Sequence, residues 1–313
     1  MKVCCVGARF HSGQVERIEK GFEELGHTLT QYPQEADLVY SNDTSHCEEM
    51  VTVKRRGAIW GKTIITVLDI PEHLFTPEKK KTIIDEFQYV VQAADAVTVI
   101  STFVQGQVKA YLGRESAVVY NPIKPITRKP NVERGQEIRF LSAGRRYDGN
   151  KRHAVAVRAL QSLGINYGQL ALVGEEYMPW GEHFGPVTDD ELNKLYNSVD
   201  FVIATGRIEG LGLPALEAAA AGVIPILCND LSTRQEFFPS SVFPEYDKVD
   251  PTPQSVAEFV GRYIKDRIAM VEFKERLYKH FQKEWAEKLS GKGVAGAILR
   301  VYEGLKAEEI VQT

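Results

Sequence analysis

Cysteine is scarce in this chain, with four residues among 313, at positions 4, 5, 47 and 228. Cys4 and Cys5 are neighbours on a predicted strand, so their side chains point to opposite faces and make poor disulfide partners. No pair has the C-x-x-C spacing that is typical of a metal site. We therefore expect Cys4, Cys5, Cys47 and Cys228 to be small core side chains of a protein in a reducing compartment.

Long apolar runs are also lacking, because no stretch reaches the roughly 18–20 residues that a membrane-spanning helix needs. The N-terminal "MKVCCVGARF" has an apolar core too brief for a signal peptide and lacks a cleavage site. The formal net charge is only −4, which excludes a global attraction to nucleic acid. These features predict a soluble, cytoplasmic protein with no nucleic-acid partner.

The chain does contain a regular alternation of strand-like and helix-like segments. Its apolar strands, such as "TIITVLDI", are continuous runs of the kind that parallel sheets bury on both faces. One stretch, "PIKPITRKPNVERGQE", interrupts the alternation with three prolines and scattered charge, which is typical of a linker. We predict an α/β protein with two Rossmann-like α/β/α domains, at residues 1–125 and 138–290, joined by a linker at 126–137 and facing a central cleft.

The stretch "GRIEGLGLPALEAAAAG", residues 206–222, places two glutamates around a glycine-rich turn. Pro214 suits the first turn of a helix and Gly222 is a natural stop, so Glu209 is predicted in the loop and Glu217 in the first helical turn. Gly210 and Gly212 let the backbone turn tightly and let a ligand come close. The free N–H groups near 211–213 suit an anion such as a diphosphate.

Two interpretations of these acids remain open from the residues alone. In one, Glu217 complements the helix dipole and Glu209 is a solvated loop acid. In the other, the two carboxylates accept hydrogen bonds from the hydroxyls of a sugar or ribose. Upstream, a strand leads into "GRRYDGNKRH", where clustered cations suit the stabilisation of a diphosphate leaving group. These cations are Arg145, Arg146, Lys151 and Arg152.

The stretch "FGPVTDDELNKLYNSVDFVIATGRIEGLGLPALEAAAAGVIPIL" resembles the donor-binding half of the retaining GT-B glycosyltransferases of family four. That family combines a G-x-V strand, an L-x-x-L-Y-x-x-x-D helix and an E-x7-E motif of the form E-G-x-G-L-P-x-x-E-A. The residues at the motif's fixed positions are Glu209, Gly210, Gly212, Leu213, Pro214, Glu217 and Ala218. The likeness covers most of the chain from about residue 94, and "SGKGVAGAILRVYEGL" looks like the family's C-terminal helix. The resemblance implies that residues 291–313 pack back on the first domain.

The resemblance implies transfer of a sugar, with retained anomeric configuration, from a UDP-, GDP- or ADP-sugar to a hydroxyl acceptor. Glu217 would hold the donor ribose and Glu209 would contact the transferred sugar. No metal ion and no other cofactor are expected, and the sequence has no D-x-D pattern. The acceptor would be a saccharide, a lipid-linked molecule or a small molecule. The remaining implied donor contacts are Gly13, Arg145 or Arg146, Lys151, Val187, Gly210, Leu211, Gly212 and Leu213.

One departure from the family concerns the strand that enters the cleft. Many relatives end this strand in histidine followed by aspartate, whereas "TVLDIPEH" has Leu68 and then Asp69. Asp69 is expected near the acceptor and in catalysis, and His73 lies close in sequence. An exposed loop histidine is the simpler interpretation of His73.

Rival functions remain open. A GT-B sugar-nucleotide epimerase or phosphorylase would keep the fold and change the reaction. A catalytically silent, nucleotide-sugar-binding subunit would fit the missing histidine and the short first domain. An NAD dehydrogenase is disfavoured, because "GARFHSG" is not G-x-G-x-x-G. Peripheral contact with the inner membrane face is a further hypothesis, based on the basic and aromatic residues Lys54, Arg55, Arg56 and Trp60.

Overall fold

The computed structural model describes residues 1–7, 13–44, 48–72, 76–129, 137–144, 149–175 and 179–312. The chain forms two compact units. The first unit contains Met1–Ile123 together with Glu287–Thr313, and the second contains Lys124–Ala286. Cys4, Cys5 and Cys228 are buried thiols, whereas Cys47 lies outside the described residues.

The first part of the predicted linker is packed rather than free. The Thr127 N–H donates to the Asn193 side chain at 3.1 Å, and the Lys129 N–H donates to Asn197 at 2.6 Å. Asn197 in turn donates to the Thr127 carbonyl at 2.9 Å. The polar, proline-rich composition of this stretch correctly indicates little apolar surface. It gives no sign that the backbone is held by hydrogen bonds to asparagine side chains. Residues 130–136 lie outside the described part of the chain.

The first unit is built on a six-stranded parallel sheet in the order β2-β1-β3-β4-β5-β6. Its strands are β1 (Lys2–Val6), β2 (Thr28–Leu29), β3 (Leu38–Ser41), β4 (Lys62–Val67), β5 (Ala96–Val99) and β6 (Ala117–Val118). β3 is buried throughout and β4 almost throughout, which explains why their sequences are continuous and apolar.

Among the described residues of this unit, four helices alternate with these strands: α1 (Gln14–Glu24), α2 (Glu48–Arg55), α3 (Pro77–Val91) and α4 (Thr102–Gln107). The α4 segment begins after Ser101, whose hydroxyl caps the helix by accepting from the Val104 N–H at 3.3 Å. It ends, after one π turn, at Gly113 in the left-handed conformation. The sequence analysis did not predict α2, which is short and begins in polar residues.

The second unit has a five-stranded parallel sheet in the order β11-β10-β7-β8-β9. Its strands are β7 (Phe140–Ala143), β8 (Leu170–Val173), β9 (Glu182–Gly185), β10 (Phe201–Ile203) and β11 (Ile224–Ile226). The stretch "EEYMPWGEHFGPV" contains β9 but has no apolar run, so its sequence predicts a loop, and that prediction is wrong. As an edge strand with an alternating exposed pattern, β9 needs no apolar run.

The described part of this unit also contains six helices: α5 (His153–Ser162), α6 (Asp189–Ser198), α7 (Leu213–Ala221), α8 (Arg234–Phe237), α9 (Pro253–Lys265) and α10 (Arg267–Glu284). Asp266 separates α9 from α10, and its side chain caps α10 by accepting from the Ala269 N–H at 2.9 Å. Within the described ranges, no helix is both long and apolar enough to cross a bilayer.

The order of the strands in each sheet predicts where a ligand would bind to that unit. In an open parallel sheet, ligands bind outside the carboxyl ends of the strands, where the strand order reverses direction. In the second sheet the order reverses between β7 and β10, and in the first between β1 and β3. The candidate site is therefore expected beside the ends of β7 and β10.

The last helix, α11 (Gly291–Gln312), belongs to the first unit and packs against α1. Val294 and Ile298 of α11 share a buried cluster with Ile18 and Phe22 of α1. The two backbones come very close, because a Cβ added to Gly21 would lie 2.2 Å from the Gly291 carbonyl oxygen.

The close approach leads to a prediction for Gly21→Ala. The added methyl group forces α1 away from α11, because backbone atoms cannot move aside as a flexible side chain can. We expect the free energy of unfolding to fall by about 1–3 kcal/mol. Gly106→Ala in α4 is the matched control, because its Cβ meets open space and alanine favours a helix. Thermal melts check both, and a Gly21→Ala protein that melts no lower than the wild type contradicts the packing described.

Candidate functional site

The glycine-rich turn and the helix after it form where the sequence predicts them. β10 ends at Ile203, and α7 runs from Leu213 to Ala221. Gly212 caps α7 with a φ of 83°, a conformation that favours glycine, and Gly222 ends the helix with a φ of 66°. The first N–H groups of α7 have no carbonyl partner within the helix, and they carry the positive end of its dipole.

The position of Glu217 corrects one prediction. Because the left-handed turn at Gly212 starts α7 at Leu213, Glu217 is the fifth helical residue and lies in the second turn, not the first. Its side chain is only 5% exposed. It accepts a hydrogen bond from the hydroxyl of Tyr196, on α6, at 2.7 Å. A buried acid in the second turn is not a surface residue that complements the dipole, so that interpretation is wrong.

The Tyr196 hydroxyl is a fixed donor to Glu217. Burial is the main cause that raises the pKa of Tyr196, and the neighbouring Glu217 carboxylate raises it further. The phenol therefore stays protonated at neutral pH. Its hydrogen bond orients one oxygen of the carboxylate, Oε2.

Glu209 and Lys151 form the central contact of the site. The Lys151 ammonium donates to both carboxylate oxygens of Glu209, each at 2.7 Å. The Lys151 and Glu209 side chains are 31% and 18% exposed, so the pair is partly shielded from water. These residues lie 58 positions apart, and they meet because β7 and β10 are neighbours. The acid and one cation predicted as functional are therefore direct partners.

A small cavity of about 100 Å³ opens at the carboxyl ends of β7 and β10. Gly144 follows β7 and Thr205 follows β10, and both line it. Lys151, Glu209 and Gly212 also contribute to its wall. The position is the point where the strand order reverses, so fold geometry and predicted chemistry coincide there.

Comparison with known proteins identifies this segment. Residues 182–280, from β9 into α10, match the family described as glycosyl transferases, group 1. The matched segment is therefore similar to the group 1 glycosyl transferases. Both glutamates and the glycine-rich turn lie inside it. A curated relative, an uncharacterized glycosyltransferase of Methanocaldococcus jannaschii, is 32% identical over 121 residues. That alignment covers 38% of this chain and 29% of the relative, well under two thirds of the relative's length.

Solved structures establish the fold of the whole chain. Sucrose-phosphate synthase from Thermosynechococcus elongatus matches 98% of this chain over 100% of its own, with a TM-score of 0.73 and 14% identity. The Anabaena protein HepE, in complex with UDP-glucose, matches 97% of this chain over 99% of its own, with a TM-score of 0.69 and 14% identity. The chain therefore has the GT-B fold, which confirms the predicted fold class.

Two of the clustered cations of the GT-B second unit lie among the described residues, and each has an acidic partner. Besides the Lys151 pair, the Arg152 guanidinium donates two hydrogen bonds to Asp230, both at 2.7 Å. This contact holds the pKa of Asp230 below its usual range. Arg145 and Arg146 lie outside the described residues.

The remaining donor contacts inferred from the resemblance fall on both units. Gly13 caps α1 in the left-handed conformation, with a φ of 59°. Val187 lies directly before Thr188, the residue that caps α6, and packs against the buried cluster that contains Tyr196. Gly210, Leu211, Gly212 and Leu213 span the turn and the first residue of α7. Their roles in donor binding stay predictions.

Asp69 follows β4 in the first unit and lines a second cavity of about 710 Å³. Asp43, Thr44 and Tyr89 line the same cavity. His73 lies outside the described residues. The role of Asp69 in catalysis stays a prediction.

The four residues on which the membrane hypothesis is based differ in whether their side chains are exposed or bound to other residues. Lys54 is engaged with Asp95 and Thr63, and Arg55 stacks over the Tyr89 ring at 4.0 Å. Arg56 is exposed, and Trp60 is 88% exposed. Two of the four side chains therefore have structural partners, which the linear sequence does not show.

Sequence reasoning missed the side chains that support the glutamates. Tyr196 looks like an ordinary core aromatic, and only its contact with Glu217 reveals its polar role. Asn150 and Ser232 look like loop residues, yet both bond to the backbone beside Glu209. The position of Asn150 directly before Lys151 was the only available signal.

Proposed function

We propose that this protein is a glycosyltransferase that moves a sugar from a nucleotide diphosphate to a hydroxyl acceptor, with retention of anomeric configuration. The observation that carries the proposal is the Lys151–Glu209 pair beside the start of α7, inside the group 1 segment. A cation, a helix N-terminus and a carboxylate around one cavity suit a diphosphate joined to a polyhydroxyl group.

The ammonium of Lys151 and the first N–H groups of α7 would hold the diphosphate. During the reaction the bond between the sugar carbon and the phosphate oxygen breaks, and negative charge grows on the leaving diphosphate. Positive groups that are already in place stabilise this charge without reorganisation, which lowers the barrier. The proposal gives a metal ion no role, because Lys151 and the helix dipole provide the positive charge.

Glu209 would accept hydrogen bonds from hydroxyls of the transferred sugar. In the structure the charge of Glu209 is balanced by Lys151. A bound diphosphate competes for the ammonium, which releases carboxylate lone pairs toward the sugar. The new bond to the acceptor oxygen forms on the face that the diphosphate leaves, and the acceptor proton moves to a phosphate oxygen.

The HepE structures support a uridine donor as the first to test, because that protein was solved with UDP-glucose and with UDP. Purified protein is incubated with UDP-, GDP- and ADP-sugars, and release of nucleoside diphosphate is followed with and without candidate acceptors. Thermal melts with UDP, GDP and ADP run in parallel, because a ligand that binds only the folded state raises the melting temperature. No release and no shift across the panel would overturn the proposal.

The same assay separates the rival functions. Free epimer formed from a UDP-sugar without acceptor indicates an epimerase, and phosphate-dependent release of sugar phosphate indicates a phosphorylase. A nucleotide-induced shift without turnover indicates a silent binding subunit.

The acceptor and the cellular location form a further part of the proposal. The exposed Trp60 and Arg56 support peripheral contact with an anionic membrane, where a lipid-linked acceptor would be found. The buried thiols of Cys4, Cys5 and Cys228 support a cytoplasmic location. Co-sedimentation with anionic and neutral liposomes at low and high salt tests the contact, and equal behaviour with both lipids contradicts it.

Glu217→Gln tests the ribose contact. The amide keeps an acceptor for Tyr196 but loses the charge that strengthens a hydrogen bond to a ribose hydroxyl. Because such bonds contribute roughly 1.5–3 kcal/mol, we expect UDP to bind about ten- to a hundredfold more weakly. Calorimetry with UDP and with its 2′,3′-dideoxy analogue measures the effect. Glu258→Gln, at an exposed position of α9, is the control. Unchanged discrimination between the two nucleotides contradicts the assignment.

A further inference from the structure

Asn150 pairs with the backbone directly before Glu209. Its Oδ1 accepts from the Ile208 N–H at 2.9 Å, and its Nδ2 donates to the Ile208 carbonyl at 2.6 Å. Its own carbonyl accepts from the Arg207 N–H at 3.0 Å. One side-chain amide thus satisfies both polar groups of one residue, as a neighbouring strand would.

This pairing sets the register between two loops. Lys151 follows Asn150, and Glu209 follows Ile208. The hydrogen bonds between Asn150 and Ile208 therefore bring Lys151 opposite Glu209. The Thr205 hydroxyl adds a bond to the Lys151 carbonyl at 3.0 Å. The ion pair therefore lies between backbone segments that are already attached to each other.

The opposite side of the glutamate is attached to a third loop. The Glu209 N–H donates to the Ser232 hydroxyl at 2.9 Å, and that hydroxyl donates to the Glu209 carbonyl at 3.0 Å. The Ser232 N–H donates to the Arg207 carbonyl at 2.8 Å. The backbone of Glu209 is thus fixed from both sides, independently of its carboxylate.

Arg152 closes the connection between the first and third loops. It has a φ of 51°, and it is the one non-glycine residue with positive φ in the described ranges. Its two bonds to Asp230 tie the loop of Asn150 to the loop of Ser232. A left-handed arginine is sparsely populated and persists only where surrounding contacts hold it, which is common at functional sites.

We propose that Asn150 is a positioning residue for the reaction, which holds the Glu209 carboxylate in place when a diphosphate draws Lys151 away. This inference rests on the proposed function. Without the clamp that Asn150 forms with Ile208, the backbone of Glu209 would be attached through Ser232 alone, and the carboxylate would follow the ammonium or turn to solvent. With it, the carboxylate stays at the sugar when Lys151 binds phosphate. Asn150 therefore acts on the rate of transfer and not on nucleotide affinity.

The test compares Asn150→Ala and Asn150→Asp with wild type. The aspartate variant keeps one acceptor but places an anion beside the Ile208 carbonyl. We expect kcat to fall about ten- to a hundredfold, as small misplacements of a reacting group do. The dissociation constant for UDP should stay within about threefold. Gln161→Glu, at an exposed position of α5, makes the same amide-to-acid change away from the clamp and should leave kcat unchanged.

A second measurement reports on the clamp itself. Amide hydrogen exchange of the peptide containing 206–212 should speed up in Asn150→Ala, because the Ile208 N–H loses its acceptor. Ser232→Ala, which opens the other side, should speed up the same peptide and also reduce kcat, and it replaces the Asn150 variants if they do not fold. Unchanged exchange, or unchanged kcat with faster exchange, overturns the inference. If wild type transfers no sugar, the proposed function fails and this inference falls with it.

Discussion

Lys151→Ala is expected to reduce sugar transfer by about a hundred- to a thousandfold, the loss typical when one group that stabilises developing charge is removed. The structure places the ammonium at the cavity where the strand order reverses, within 2.7 Å of both Glu209 oxygens. Under the proposed function, the α7 N-terminus would then hold the leaving diphosphate without the help of this ammonium. The remaining Glu209 carboxylate then repels that diphosphate, which adds to the loss.

The measurement separates chemistry from binding. Single-turnover rates with the best donor of the panel give the chemical step, and calorimetry with the nucleoside diphosphate gives affinity. We expect the single-turnover rate and the affinity for the nucleoside diphosphate both to fall, because Lys151 would contact the phosphate before and during transfer. Lys194→Ala on the exposed side of α6 removes one charge from the same unit and should change neither. A Lys151→Ala protein with at least half of the wild-type rate would falsify the assigned role.

Lys274→Met is expected to have the largest effect on stability. Lys274 of α10 donates to Asp200, directly before β10, at 2.5 Å, and their side chains are 9% and 6% exposed. Removing one partner of a buried pair leaves an uncompensated charge, which costs about 3–5 kcal/mol. For a unit of this size the melting temperature should fall by roughly 10 °C. Asp200 also accepts from the Arg139 N–H, so the loss extends to the start of β7.

Thermal and denaturant unfolding check this expectation. Lys279→Met, on the same helix but 73% exposed, is the matched control and should change the melting temperature little. Combining Lys274→Met with Asp200→Asn should cost less than the sum of the single changes, because both remove one shared interaction. A Lys274→Met protein as stable as the Lys279→Met control contradicts the account.

Local sequence signals predicted much of the second unit. Pro214 and Gly222 mark the beginning and end of α7 to within one residue, because their backbone requirements are local. The apolar strands were predicted for the same reason, since burial on both faces requires continuous apolar residues. The exposed edge strand β9 and the short helix α2 do not need a continuous apolar run. The sequence therefore did not predict either of them.

Local sequence patterns could not predict which side chains pair with each other. Arg152 belongs by sequence to a basic cluster, yet Asp230 binds it through two hydrogen bonds. Glu217 resembles an acid at a helix start, but one residue of difference in where α7 begins moves it to the second turn. There the side chain is buried and bonds to Tyr196. These outcomes depend on which elements are neighbours, which the spacing of residues does not show.

The sequence by itself determined the α/β class, the glycine-rich turn before α7 and the kinds of side chain available at the site. These follow from hydrophobic periodicity and backbone preference, which act over a few residues. Only the tertiary structure decided that Lys151 pairs with Glu209, that Tyr196 orients Glu217 and that Asn150 holds the turn. The physical reason is that β10 lies beside β7 in the sheet, so loops separated by 58 positions meet at one edge.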